Sequence, residues 1–126
     1  MLETLAARVN ENSALIRRGG FMSGAFLIEI GDRGFHVSVD RGRITNVEEG
    51  PFIMRGWSFA IRAPESAWRK FWEPFPEPGF HDIFAMNRFG HCTVEGDVDK
   101  LLSHLRYVKD VLAVLRRAPD SAGDDG

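Results

Sequence analysis

The sequence predicts an α+β domain: an opening amphipathic helix, a meander of short strands, and a long closing helix. Three observations predict it. Residues 35–40 alternate apolar Phe35, Val37 and Val39 with polar His36, Ser38 and Asp40, the pattern of an antiparallel strand with one wet face. Residues 98–115 place Val98, Leu101, Leu102, Leu105, Val108, Val111, Leu112 and Leu115 in one broad helical stripe. The chain has 126 residues, 44% hydrophobic and 27% charged, which suits one core that needs no disulfide or metal staple.

Each element follows in order. Leu2, Leu5, Val9 and Ile16 fall at helical spacing over 2–17, and Gly19 and Gly20 end that helix. Strands are predicted near 26–30 and 35–40 around the turn Gly31 to Gly34, and near 43–48 after the turn Asp40 to Arg43. Gly50 and Pro51 break the meander, and a fourth strand is predicted at 57–62. Pro64 then suits the start of a helix over 64–73 that Pro74 stops. Residues 73–80 hold three prolines and a glycine, so a stiff extended loop is expected, followed by a short helix near 81–88. A fifth strand at 91–95 carries Cys92 and Val94 inward. Asp97 caps a last helix over 97–117. The single domain is expected to span 1–117, with 118–126 a disordered polar tail.

The formal net charge is −2, from 16 basic and 18 acidic residues mixed along the chain, so no nucleic-acid footprint is expected. One cysteine, Cys92, forms no internal disulfide, and no apolar run nears the roughly 20 residues of a membrane span. No signal-peptide order and no Ser-Lys-Leu ending are seen. A cytoplasmic location is the simplest expectation.

No catalytic constellation emerges. His81 and Asp82 are adjacent, and neighbours do not face each other on a helix. His91 and Cys92 point to opposite faces of a strand, and no second cysteine stands at zinc spacing. His36 and His91 are placed on the solvated sheet face, and His104 off the stripe of the last helix. Gly31 and Gly34, like Gly19 and Gly20, are turn glycines and open no phosphate loop. No metal and no cofactor is therefore expected.

Aromatic residues concentrate between Trp57 and Phe89. Trp68, Phe71, Trp72, Phe75, Phe80, Phe84, Met86 and Phe89 are many large groups for one loop and two short helices. Core packing and ligand lining both account for them. Phe75 and Phe80 stand apart, because they sit among prolines, where burial requires a ligand or another surface.

Three stretches in this order resemble the sterol-carrier-protein type-two family. They are 35–44 (Phe-His-Val-Ser-Val-Asp-Arg-Gly-Arg-Ile), 58–68 (Ser-Phe-Ala-Ile-Arg-Ala-Pro-Glu-Ser-Ala-Trp) and 90–97 (Gly-His-Cys-Thr-Val-Glu-Gly-Asp). The resemblance covers about residues 2–117. Arg88, Phe89 and His91 replace residues usual before and after the family's last-strand glycine, and the aromatic loop after Trp72 departs from its pattern.

The resemblance implies a twisted, antiparallel-rich sheet of five strands covered by helices on one face, in the order α-β-β-β-crossover-β-α-β-α. It also implies an apolar tunnel for a fatty-acyl or sterol-like ligand and no catalysis. The expected lining is Phe59, Trp68, Phe71, Trp72, Phe75, Phe80, Phe84, Met86, Leu105, Val108 and Leu112. The expected partner is an apolar small molecule or lipid. A non-catalytic homodimeric or accessory module of the same fold is the competing expectation.

Overall fold

The computed structural model describes residues 2–50 and 56–116. The predicted tail at 118–126 lies outside them. A 3-10 turn at Leu2–Thr4 leads into α1 (Leu5–Asn10) and α2 (Ser13–Arg18). The predicted helix 2–17 is thus broken. Asn12 leaves the helical region (φ −100°, ψ 95°), and its side chain accepts the Leu15 N–H as a new N-cap.

Among the described residues five strands form one sheet. They are β1 (Gly24–Ile30), β2 (Arg33–Asp40), β3 (Arg43–Glu49), β4 (Phe59–Ala63) and β5 (Thr93–Gly96). Their order across the sheet is β3-β2-β1-β4-β5. Three neighbouring pairs are antiparallel, but β1 and β4 run parallel, so the sheet is mixed. The crossover after β3 carries the chain past β2 and back beside β1, and it sets that parallel pair. Strand four begins two residues later than predicted. Trp57 and Ser58 precede it, and the Trp57 ring lies 5.8 Å from the Arg62 guanidinium.

The helices that follow are α3 (Glu65–Phe71), α4 (Ile83–Arg88), α5 (Val98–Ser103) and α6 (Leu105–Ala113). Side chains of Asp82 and Asp97 accept the N–H groups of Ala85 and Lys100 as N-caps. The predicted long helix 97–117 bends at His104 (φ −119°, ψ 26°). There the Ser103 hydroxyl donates back to the Asp99 carbonyl, a competing bond that weakens helical continuity. His104, expected exposed, is half-buried at that bend.

The core lies between one sheet face and the helices. Phe26, Ile28, Phe35, Val37, Val39, Phe59 and Ile61 are buried there, while Val94 is partly buried against them. The Phe26 and Phe59 rings sit on paired positions of the parallel strands and stack 5.1 Å apart. Asn10 ties α1 to the edge strand β3, for its amide donates to the Ile44 carbonyl and accepts the Ile44 N–H. That pairing blunts an exposed sheet edge.

The other sheet face is less wet than expected. Leu27, His36 and Ala60 are buried on it. The His36 Nε2–H donates to the Gly56 carbonyl at 2.9 Å, which holds the returning crossover against the sheet. Arg62 on this face bonds Glu29 at 2.7 Å and also pairs with Glu95. These bonds hold its guanidinium pKa above the ordinary value despite partial burial.

Candidate functional site

The aromatic residues singled out in the sequence divide into two groups. Phe59, Trp68, Phe71, Trp72, Phe80, Met86, Val108 and Leu112 are buried in the shared core, and Phe84 packs partly buried against it. Leu105 is half-buried. Phe75 lies apart from them, 79% exposed. The two rings of the proline-rich loop thus differ in burial. The Phe80 amide bonds back to the Glu77 carbonyl, and its ring stacks 4.2 Å from that of His91, with the Lys70 ammonium 5.0 Å away. Phe75, three residues after Trp72, finds no such cover. Phe89 also stands 61% exposed, next to Gly79.

Helix α3 organises the aromatic centre. Trp68 and Trp72 are four residues apart on one helical face, and their rings stack 5.1 Å apart. Trp68 Nε1–H donates to the Glu29 carbonyl at the end of β1, and Trp72 Nε1–H donates to the Leu112 carbonyl of α6, both at 2.8 Å. One helix is thereby tied to the sheet and to the closing helix. Each indole satisfies its only polar group inside the protein, so neither buried ring leaves an unpaired N–H in the core.

Arg116 clamps the neighbouring seam. Its Nε–H donates to the Phe71 carbonyl at 2.9 Å, its Nη2 donates to the His81 carbonyl at 3.1 Å, and its guanidinium lies 4.8 Å from the Phe71 ring. Burial lowers its pKa from the ordinary value. Asp82 pairs with Lys109 at 3.2 Å while capping α4. Burial pushes its pKa up, but the Ala85 N–H and Lys109 outweigh it, and the net direction is down. His81 is exposed, 3.8 Å from Asp82. The pair is a helix cap beside a solvated imidazole.

Burial pushes the Cys92 thiol up to about 11, so it is protonated and unreactive at neutral pH. Its Sγ–H donates to the Ile83 carbonyl at 3.5 Å. His91 precedes β5 and stacks on Phe80, far in sequence and setting from buried His36. Among the described residues no group of three or more His, Cys, Asp or Glu is placed to hold a metal. Among them, too, no helix is long and apolar enough to cross a membrane.

Three surface recesses flank this centre. One of about 220 Å³ lies over Ile30, Trp68 and Trp72, with Arg33, Glu65 and Arg69 at its edge. A second, of about 270 Å³, lies between Phe71, His81 and Asp82 on one side and Lys109, Ala113 and Arg116 on the other. The third, of about 360 Å³, lies on the far side of the sheet by Leu27, Glu29 and Glu49. The recess by the two tryptophans is lined by three apolar and three charged residues, the latter held in the ion pairs Arg33–Glu49 and Arg69–Glu65.

No protein-family model matches the chain, and no curated protein matches it. Solved structures do match. A crystal structure of sterol carrier protein 2 superposes with a TM-score of 0.73 at 13% identity, over 92% of this chain and 93% of that one. The fold is the sterol-carrier fold. A conserved hypothetical protein from Thermus thermophilus, described as possibly a sterol carrier protein, gives a TM-score of 0.63 at 12% identity. It covers 92% of this chain and 86% of its own. A UbiJ-SCP2 ubiquinone synthesis protein gives 0.59 at 13% identity, over 90% of both chains.

Sequence reasoning missed three side chains that hold this fold together. Asn10, Tyr107 and Arg116 each bond a backbone carbonyl distant in sequence, at Ile44, Gly42 and Phe71. Nothing in local periodicity marks such partners. The Trp68 and Trp72 spacing was visible, but the guanidinium of Arg33, across the seam, was not.

Proposed function

We propose that this chain binds and carries a lipid-like apolar ligand, without catalysis, between its sheet and its helices. The sterol-carrier fold, shared along nearly the whole chain, carries this reading. The chemistry of the lining supports it. Phe59, Trp68, Phe71, Trp72, Phe80, Met86, Val108 and Leu112 gather in the shared core with Phe84 packed against it, Leu105 is half-buried, and Trp68 and Trp72 keep their N–H groups engaged within the fold. A ligand held there gains by removing apolar surface from water, about 25 cal/mol per Å², and needs no reacting group. Entry requires α4 or α6 to move off the sheet, because the central aromatics are closely packed.

A native mass spectrum of protein purified from cells tests the reading. Extra mass matching a lipid, lost on delipidation and regained with a fatty acid, supports it. A bare chain that takes up no fatty acid refutes it. Exposed Phe75 and Phe89 favour a second reading, an accessory or homodimeric module in which these rings meet a partner. The UbiJ-SCP2 structure, named for ubiquinone synthesis, shares the fold. A ligand-free dimer that Phe75→Ala turns into a monomer supports this alternative.

A further inference from the structure

We propose that the corner carrying Phe21 docks on an anionic lipid surface, its ring entering the boundary of headgroups and acyl chains while arginines around it meet the phosphates. The proposal stands whether or not the core carries a ligand.

Among the described residues Phe21 is the most exposed large apolar side chain, at 96%. It lies between α2 and β1, and the backbone on both sides of it is fastened. The Met22 N–H bonds the Gly19 carbonyl, and the Met22 carbonyl accepts the Gly42 N–H from the β2–β3 turn. The Arg41 N–H bonds the Ser23 hydroxyl at 3.1 Å. The Tyr107 hydroxyl donates to the Gly42 carbonyl, and Gly19 sits against the Tyr107 ring. A fixed backbone thus holds the Phe21 ring in water. One ring is too small a patch for a stable protein interface, which buries roughly 1,200 Å² or more. It suits insertion by about 5–10 Å at a lipid boundary.

The charges of the corner favour an anion. Several of them cancel. Arg18 pairs with Asp110, Arg43 stands opposite Asp40 across the turn, and Lys100, whose ammonium bonds the Ser23 carbonyl, has Asp97 and Asp99 beside it in the chain. Arg17, Arg41 and Arg106 remain. All three are exposed, and among the described residues none of them makes an ion pair. Arg17 is in the last turn of α2. Arg106 precedes Asp110 by four residues, on the face of α6 that reaches Arg18.

The backbone of Arg41 points the same way. Arg41 and Gly42 make a two-residue hairpin turn with φ of 50° and 84°. Such a turn prefers Asn, Asp or Gly at its first place, because a larger side chain strains the left-handed region. Among the described residues Arg41 is the one non-glycine with positive φ. The turn gives up stability to present a guanidinium there, as functional positions do. Exposed Phe75 is the internal contrast, since Glu73 and Glu77 flank it in sequence.

Sedimentation with phosphatidylcholine vesicles, with and without added phosphatidylglycerol, tests the proposal. The protein should pellet with the anionic vesicles, less so as salt rises, and stay in solution with the neutral ones. Arg17→Gln, Arg41→Asn and Arg106→Gln together should weaken that binding about tenfold or more. Phe21→Ala alone should weaken it about fivefold, and Phe75→Ala should leave it unchanged. Melting temperatures should stay at the wild-type value, since no changed side chain is buried, and Arg41→Asn alone should match or raise it. Equal binding to neutral vesicles overturns the proposal, as does anionic binding that ignores Phe21 or the three arginines. Single-stranded DNA bound through these four residues, with vesicles ignored, makes the corner a nucleic-acid surface and overturns it too. The vesicles hold no free fatty acid, so either result leaves the carrier reading to its own test.

Discussion

Phe75 and Phe80 stand five residues apart in one proline-rich loop, yet the structure assigns them opposite energetics. Phe80 is 6% exposed and stacks on His91, whereas Phe75 is 79% exposed. Truncating a buried Phe to Ala costs about 3–5 kcal/mol. Phe80 merits the low end, about 3 kcal/mol, because its ring meets His91 and Lys70 rather than the centre of the core. For a chain of this length that lowers the melting temperature by about 10–15 °C. Phe75→Ala removes little packing and should stay within about 0.5 kcal/mol. Urea titration of each variant, read by far-ultraviolet circular dichroism, separates the two. Equal losses would refute the assignment, and a costly Phe75→Ala would show that its ring is covered in solution. The functional corollary is sharp. Any effect of Phe75→Ala on a ligand or a partner reports recognition directly, since stability is unchanged.

Three further outcomes follow from named contacts. A Cβ on Gly19 would lie 2.3 Å from the Tyr107 ring, so Gly19→Ala should cost about 1–3 kcal/mol by overpacking, measured by urea titration. Tyr107→Phe should cost about 1–2 kcal/mol, because the Gly42 carbonyl loses its phenol donor. Burial raises the Tyr107 pKa from 10.0 to about 12, so its contribution is full below pH 10.0 and fades as pH rises toward about 12. Tyr107→Phe should flatten that alkaline limb, and an unaltered limb would contradict it. Asp82 has the opposite sign. Its pKa is lowered from 3.8, so its stabilisation is present above that value and is lost as pH falls below it. Asp82→Asn keeps a capping oxygen but drops the Lys109 pair, and it should flatten the acid limb of stability with little change in the helix content of α4.

Periodicity made the elements legible, and it failed where distant partners decide. The strands β1 to β3 and the N-cap Asp97 lie where alternation and cap chemistry put them. Helical spacing could not see the breaks at Asn12 and His104, because a continuous apolar stripe survives a local change of backbone. The His36 position alternates as a wet residue should, yet the Gly56 carbonyl covers it. Strand direction was equally hidden. Nothing in the residues of β4 says that it runs parallel to β1; the crossover decides that. The resemblance to sterol carriers held because it rested on three short stretches in a fixed order. The large residues were legible as a group, since aromatics collect in a core whether or not a ligand joins them.

That ambiguity has a physical resolution in the cost of an empty tunnel. A dry cavity of ~300 Å³, room for part of an acyl chain, would cost the ligand-free protein about 7 kcal/mol at ~24 cal/mol per Å³. That is comparable with the whole stability of a small domain. A ligand-free carrier therefore keeps its aromatics together, and buried Trp68, Phe71 and Phe59 are what an empty carrier and a plain packed core have in common. The two differ in what opening does. In a carrier a fatty acid repays the cost of parting the helices from the sheet, so Leu112→Ala, which loosens buried α6 packing, should destabilise the ligand-free protein by about 2–5 kcal/mol and leave fatty-acid affinity equal or higher, read by titration of the tryptophan emission. A plain packed core would lose the same stability and bind no fatty acid in either form, and that result would refute the carrier reading.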